Sequence, residues 1–572
     1  MTRKRTFVGL LLFLLFCGAW LYWQRISRVA LENYVPETAL GYVEINDLPR
    51  LLNQFAATDA WQQLAPVYQV EHALQYAGWA NRLGRWTGIG TKESLLMARG
   101  QFALVISGME VRGDEVKPRM ALLIETHGSD ASVKALMESR LPQLAHRALT
   151  AAVQETTEYS GVPITIFRAP NTDRQILSAG IGSTWVIAND AATLQSCIDV
   201  RQNRVAAMVK NPLLAAAKAQ VGADGEVFAF VSNAGAARLS QFFTHLLIGK
   251  ALAGTPLAGM PEGIMAEVAE GTVEAMAYST EFEKGGVRER YAMLCKPEVT
   301  NSLQETIRPP KNVDPEQSEG LKLIPATAQD VTLITVTDPG QALDGVERIV
   351  SGHLGVAQSF IFHKFFASAR KTFLGLEPGE NPSTAVGSEV VRFSLESNDV
   401  DAPERVWLIA ARNRQQLTQL AERLLQQQGG KLARVEHQGI AMTTTSNGKR
   451  AFTFVGNYLV LGSQEKVRQV LTEMGKQTAL LATTQFGTAT RPAPINHSVM
   501  HGFSSVAAET HEMMISLAQR LKGNPQAKAS VVLERLPLAV SVTSLSDRGV
   551  VREAHSPVGS FPALVNFLEF VF

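Results

Sequence analysis

Short apolar runs separated by polar turns, with helix-like stretches between them, make up most of this chain. Phe102–Gly108 and Met120–Thr126 read as paired strands, as do Ile164–Phe167 and Ile176–Ala179, with a further strand at Thr184–Ala188. Apolar spacing predicts helices over Ser129–Ala152, Asp190–Arg201 and Ala234–Leu252. Hairpins interspersed with helices, without regular strand–helix–strand alternation, predict an α+β fold of antiparallel sheet packed with helices.

The pattern is then written a second time. The stretch EYSGVPITIFRAPNTDRQILSAGIGSTWVIANDAATLQ, Glu158–Gln195, has the same punctuation as EHQGIAMTTTSNGKRAFTFVGNYLVLGSQEKVRQVL, Glu436–Leu471. Further echoes keep the same order: Val35–Ile45 with Ile324–Ile334, the strand and helix from Lys117 with those from Ala402, and Val227 onward with Val499 onward. The lag shrinks along the chain, from 289 residues at Pro36/Pro325 to 278 at Gly161/Gly439, 274 at Gly182/Gly456 and 264 at Gly285/Gly549. Shorter loops in the second copy account for that drift, one being the Asn447-Gly448 turn, a pair in which both residues tolerate positive φ. The expectation is two tandem, pseudo-symmetric repeats over residues 31–295 and 321–572. Between them, residues 296–320 carry four prolines and no apolar periodicity and read as a linker.

The N-terminus departs from this alternation. Arg3, Lys4 and Arg5 precede an uncharged run from Phe7 to Trp23, about 25 Å long as a helix, the short end of what a bilayer needs. Cys17-Gly18-Ala19 would allow cleavage as a signal peptide. The aromatic cluster that follows suits a membrane interface and favours a retained anchor. Residues 1–30 are therefore expected to form a cytoplasmic tip and one transmembrane helix, with Phe7, Leu11, Leu15, Trp20, Tyr22 and Trp23 as its membrane-facing residues. The excess of basic residues before the run puts the remainder outside the cytoplasm. With 54 Lys+Arg against 53 Asp+Glu there is no global field to attract nucleic acid, which is dropped as a partner. Cys197 and Cys295 are the cysteines outside the anchor; one disulfide is open to them, and Cys197 reads as a buried thiol.

At Pro36-Glu37-Thr38 and Tyr42-Val43-Glu44-Ile45, and again at SGVPITIF from Ser160 and GSTWVIAND from Gly182, the chain resembles a bacterial domain-of-unknown-function family of membrane-anchored extracytoplasmic proteins. The resemblance covers most of residues 34–295. It implies a place in the bacterial envelope and supplies no catalytic residues.

Fragments that imitate catalytic signatures fail on geometry. HEMMI at His511 has Ile515 where a second zinc-binding His would have to stand, one helical turn on. Ser368 and Lys371 have S-x-x-K spacing, but no K-T-G follows, and the SND at Ser397 is in the wrong order. His497 and His501, on one strand, would lie about 13 Å apart, too far for one metal. Glu281 and Glu283 sit at a strand's end and are expected to face water. No catalytic, cofactor-binding or metal-binding residue is assigned. Two apolar segments remain. Residues 246–271, broken by Gly and Pro, read as a partly buried connecting loop, with the lip of a binding groove at Pro256-Leu257, Met260 and Met265 as the functional alternative. The C-terminal FPALVNFLEFVF, from Phe561, has helical spacing and reads as a docking helix. The expected function is a non-enzymatic binding or scaffold module, anchored in the bacterial inner membrane with its bulk in the periplasm and meeting another envelope protein or a peptidoglycan-associated partner. A carrier or chaperone for lipid or another apolar ligand is the alternative, and a hydrolase with an unrecognised site comes third.

Overall fold

The computed structural model describes residues 28–562 apart from internal stretches, of which 72–98, 246–259, 396–403 and 522–528 are the longest. In the first half of the chain the strands are β1 Gly41–Ile45, β2 Gln101–Arg112, β3 Glu115–Glu125, β4 Val153–Tyr159 and β5 Val162–Arg168. They continue as β6 Gln175–Ile181, β7 Thr184–Ala188, β8 Val227–Ser232, β9 Val273–Glu283 and β10 Gly286–Cys295. The second half has β11 Ala328–Thr335, β12 Val386–Leu395, β13 Arg405–Ala411, β14 Leu432–His437 and β15 Ile440–Thr445. It ends with β16 Ala451–Val455, β17 Tyr458–Gly462, β18 Ser498–Ser504, β19 Ala539–Ser546 and β20 Gly549–Ser556.

The strand pairings overturn the expectation of two tandem repeats, each with its own antiparallel sheet. Among the described residues all the strands join into one 20-stranded antiparallel sheet. The first wing runs β4-β5-β6-β7-β3-β2-β1-β8-β9-β10. The second runs β14-β15-β16-β17-β13-β12-β11-β18-β19-β20. The wings meet where β10 pairs with β20, from Val287 opposite Ser556 to Leu294 opposite Gly549. The reason is a matter of edges: β10 and β20 would each leave a row of backbone N–H and C=O groups unpaired, and pairing satisfies both rows at once. Glycine permits the approach. Gly286 and Gly549 sit at opposite ends of the seam with φ of 147° and 135°, and a Cβ on either would collide with a carbonyl of the facing strand, that of Ser556 or Met293.

The helices used below are α1 Leu48–Ala56, α2 Asp59–Tyr68, α3 Asp130–Ala148, α4 Ala191–Arg201, α5 Pro212–Val221, α6 Asn233–Thr244 and α7 Met260–Thr272. After them come α8 Pro297–Thr306, α9 Pro339–Gly352, α10 Val356–Leu374, α11 Arg414–Gln427, α12 Gln464–Gly475 and α13 Ala507–Leu521. Strand alternation gives the sheet two apolar faces, and helices cover both. On one face of the first wing Tyr42, Leu123 and Phe230 pack with Leu194 and Cys197 of α4 and Ala217 of α5. On the other, Ile124, Phe167 and Trp185 meet Met137 and Leu141 of α3. The second wing repeats the arrangement, with α12 on one face and α11 on the other. A further core spans the halves: Phe55, Trp61, Leu64 and Tyr68 of α1 and α2 pack on Met513 and Met514 of α13.

The supposed linker carries α8, which packs against α9 and β20. Among the described residues no helix is long and apolar enough to cross a membrane. The expected transmembrane helix, with Phe7, Leu11, Leu15, Trp20, Tyr22 and Trp23, lies outside the described residues.

Candidate functional site

The seam gathers charge. The β10–β20 register sets Arg288 opposite His555 and Arg290 opposite Glu553 on one face of the sheet. Glu553 accepts hydrogen bonds from Nε and Nη2 of Arg288 at 3.1 and 3.3 Å and from Nε of Arg290 at 2.9 Å, and His555 Nε2 lies 3.2 Å from it. Burial raises the Glu553 carboxyl, but the hydrogen bonds from His555 and Arg290 and their charges outweigh it and hold it below the usual carboxylate range. Glu281 and Glu283 were expected to face water. They are half-exposed and reach Arg288 at 3.4 and 3.6 Å. A small cleft opens here, lined by Glu283, Gly286, Thr490, Leu538, His555 and Ser556. On the other face Tyr278 donates to Glu289 at 2.6 Å, and the Ser560 N–H donates to the same carboxylate at 3.0 Å. Each cation of the cluster is matched by carboxylates, which suits it to locking two strands in register. A sequence signal for it existed: charges interrupt the apolar alternation in both GVRERY from Gly286 and GVVREA from Gly549.

Each wing also buries a titratable group near its centre. Glu44, on β1, is 4% exposed. Lys218 of α5 lies 3.8 Å from it and 2.8 Å from Glu32. Burial lifts the Glu44 carboxyl to about 7 despite Lys218, and Glu32 adds to the rise. Its Oε2 and the Tyr42 hydroxyl have no hydrogen-bond partner among the described residues. On β18, burial takes His501 down to about 4, against a smaller opposing pull from Asp314.

The other sequence candidates do not converge. His511 lies on α13, where Nδ1 meets the Tyr68 hydroxyl at 2.5 Å. His497 precedes β18 with φ of 65°, so it does not share the strand with His501. Ser368 is exposed on α10, and Lys371 pairs with Glu377 at 3.2 Å. Cys197 and Cys295 are free buried thiols; burial pushes Cys197 up to about 12, and burial with Glu274 takes Cys295 to about 11. Among the described residues no group of three or more His, Cys, Asp or Glu is placed to hold a metal. Of the groove lip, Met265 is exposed on α7, Met260 opens that helix, and Pro256-Leu257 lie outside the described residues. Phe561 stacks on Phe55 with ring centroids 4.3 Å apart, and the chain beyond Pro562 lies outside the described residues.

The surface feature that stands out is apolar. Val356 is 93% exposed on α10, with Phe360 at 64% and Phe365 at 66%. Ile361 and Leu374 of the same helix, Val346 of α9, Met265 of α7 and Phe243 of α6 are exposed too. These helices adjoin: α6 packs on α7, α7 on α9 and α9 on α10, and Glu267 of α7 accepts from the Gly355 N–H at 2.9 Å. They also share one end of the strands. α6 follows Ser232, α7 precedes Val273 and α9 follows Thr335, and the registers align those three termini.

At the opposite end the chain's first described residues are fastened. Arg28 pairs with Asp47 at 2.9 Å, and Val29 exchanges two hydrogen bonds with the Gln101 side chain, at 2.9 and 2.8 Å. Leu31 is fully buried. Comparison with protein-family models, with curated proteins and with solved structures gave no match.

Proposed function

We propose that the protein is a non-catalytic binding or scaffold module of the bacterial envelope, held at the inner membrane through the apolar run Phe7–Trp23, with residues 31–572 on the periplasmic side. The observation that carries this reading is the fastening of Arg28 and Val29 to Asp47 and Gln101. Trp23 and Arg28 are five positions apart, a reach of at most about 18 Å, so a bilayer holding the run would have the fold close to its surface. The resemblance of the Pro36–Ile45 phrase to an envelope family supports the same location, and the exposed helices at the far end of the strands supply a surface for another envelope protein. The test is alkaline extraction of membranes containing the full chain, with N-terminal sequencing of the retained protein. Retention with Trp20 and Trp23 present is the expected result. Release into the soluble fraction, or a mature N-terminus at residue 20 or later, overturns the anchored reading.

A further inference from the structure

We infer that the outward face of α10 is a docking site for a partner protein's amphipathic helix, one with an apolar stripe flanked by acidic residues. The inference deepens the binding reading and rests on it. Nineteen residues from Val356 to Leu374 form α10, and they include no Asp or Glu. Phe362, Phe366 and Arg370 turn toward the protein and are partly covered, whereas Val356, Phe360, Lys364, Ala367 and Lys371 recur at three- and four-residue spacing along the open side. Phe365 and Ile361 widen that stripe on one flank. The exposed apolar surface of Val356, Phe360, Ile361 and Phe365 on a folded protein marks a contact surface, and three- and four-residue spacing is what helix-on-helix recognition uses.

Charge selects the partner. Arg370 is committed to Asp344 and Glu347 of α9, and His363 to Glu347. Lys364 stands on the open side over the Phe360 ring, its ammonium 5.6 Å from the ring centre. Lys371 lies along the same line but is paired with Glu377 at 3.2 Å, which leaves Lys364 as the cation this face presents. A partner with carboxylates beside its apolar stripe would meet the Lys364 ammonium, and a basic one would be repelled.

Position argues against the protein's own bilayer as the occupant. Arg28 and Asp47 lie at the end of the sheet where β1 finishes, and α9 leaves the sheet at the other. The ten residues of β10 that span between the ends measure roughly 30 Å. If the chain is anchored through its N-terminus, α9 and the start of α10 lie at the end of the sheet remote from that membrane.

The experiment places the photocrosslinker p-benzoylphenylalanine at Phe360 or Phe365 of the full chain in its native envelope, with Leu144, exposed on α3, as control. The substituted side chains are exposed, so folding is not at risk. The expected product is a discrete protein adduct at 360 and 365, about tenfold above that at 144, whose crosslinked peptide is an apolar helix flanked by Asp or Glu. Lys364→Glu should lower its yield several-fold, and Lys364→Arg should preserve it. Lipid adducts, adducts of the chain with itself, a crosslinked peptide without acidic flanks, a yield indifferent to Lys364→Glu, or no adduct at either position would each overturn the inference. Alkaline extraction of the same membranes reports separately on anchorage, so a released protein that still forms the adduct separates failure of the anchor from failure of the docking site.

Discussion

The centres of the two wings share a backbone and differ in what they bury. In the first wing Glu44 of β1 faces Phe228 of β8. At the matching place in the second, Leu333 of β11 faces His501 of β18. One step along, Tyr42 opposite Phe230 corresponds to Val331 opposite Phe503. Strand order and register are kept by backbone hydrogen bonds and by apolar alternation, and neither depends on which of two facing strands carries a polar side chain. Burial then acts on whatever group is there, raising a carboxyl and lowering an imidazole. One sheet therefore holds two groups with opposite dependence on pH.

The largest effect expected from breaking this contrast is at Lys218. Replacing it with Met leaves Glu32 and Glu44 facing each other in the core of the first wing without their cation, at a cost of about 4 kcal/mol. Urea unfolding of Lys218→Met at pH 7.5 measures it, and adding Glu44→Gln should recover much of the loss. A double variant no better than the single would sink the account.

Next comes Glu44 alone. Its folded pKa of about 7 lies above the ordinary 4.5, so the proton it keeps stabilises the fold fully below about pH 4.5, and that contribution fades as pH rises through 7. The difference amounts to about 3 kcal/mol by pH 9. Glu44→Gln cannot ionise and should hold its stability over that range; parallel decline of variant and wild type would refute the assignment.

The seam offers a comparison in which the wings should agree. Gly286→Ala and Gly549→Ala each force a Cβ against a facing carbonyl at a positive φ, and each should cost about 2 kcal/mol or more. Thermal unfolding should give similar shifts for both. A tolerated substitution at either end would mean the strands do not approach as described.

His501 should give the smallest effect, with the opposite sign to Glu44. Its folded value of about 4 lies below the ordinary 6.5, so the neutral ring's contribution is present above pH 6.5 and is lost as pH falls toward 4. By pH 5 the loss amounts to about 2 kcal/mol. His501→Leu should flatten the acid side of the stability profile, and an unchanged acid limb would count against it.

Local structure was largely legible. The helix expected from Asp190 begins at Ala191, because the Asp190 carboxylate caps it by accepting from the Thr193 N–H at 2.9 Å. Gly161 and Gly439 both have φ of 79°, and Gly182 and Gly456 have 62° and 56°, the backbone states that Gly tolerates without strain at the hairpins where both halves place them. Less was legible where local and tertiary signals compete. The prolines after Lys296 suggested a linker, yet Pro297 occupies the first turn of α8, where its missing N–H costs nothing. The exposed side of α10 is not legible in the sequence, since Phe360, Phe362, Phe365 and Phe366 look alike there, and only packing decides which are covered. Met265 was singled out as part of a lip, and its place beside that exposed surface comes from the packing of α6 on α7.

The sequence by itself determined the strands, their turns and the recurrence of their order, because alternation, glycine conformation and helix caps act over a few residues. Only the tertiary structure decided that the halves share one sheet. That outcome depends on β10 meeting β20 across more than 250 residues of chain, on glycines that let the strands close, and on Glu553 finding Arg288 and Arg290. It also decided which charged residues were buried and which apolar ones were left outside, since burial belongs to the assembled layers and not to any one segment.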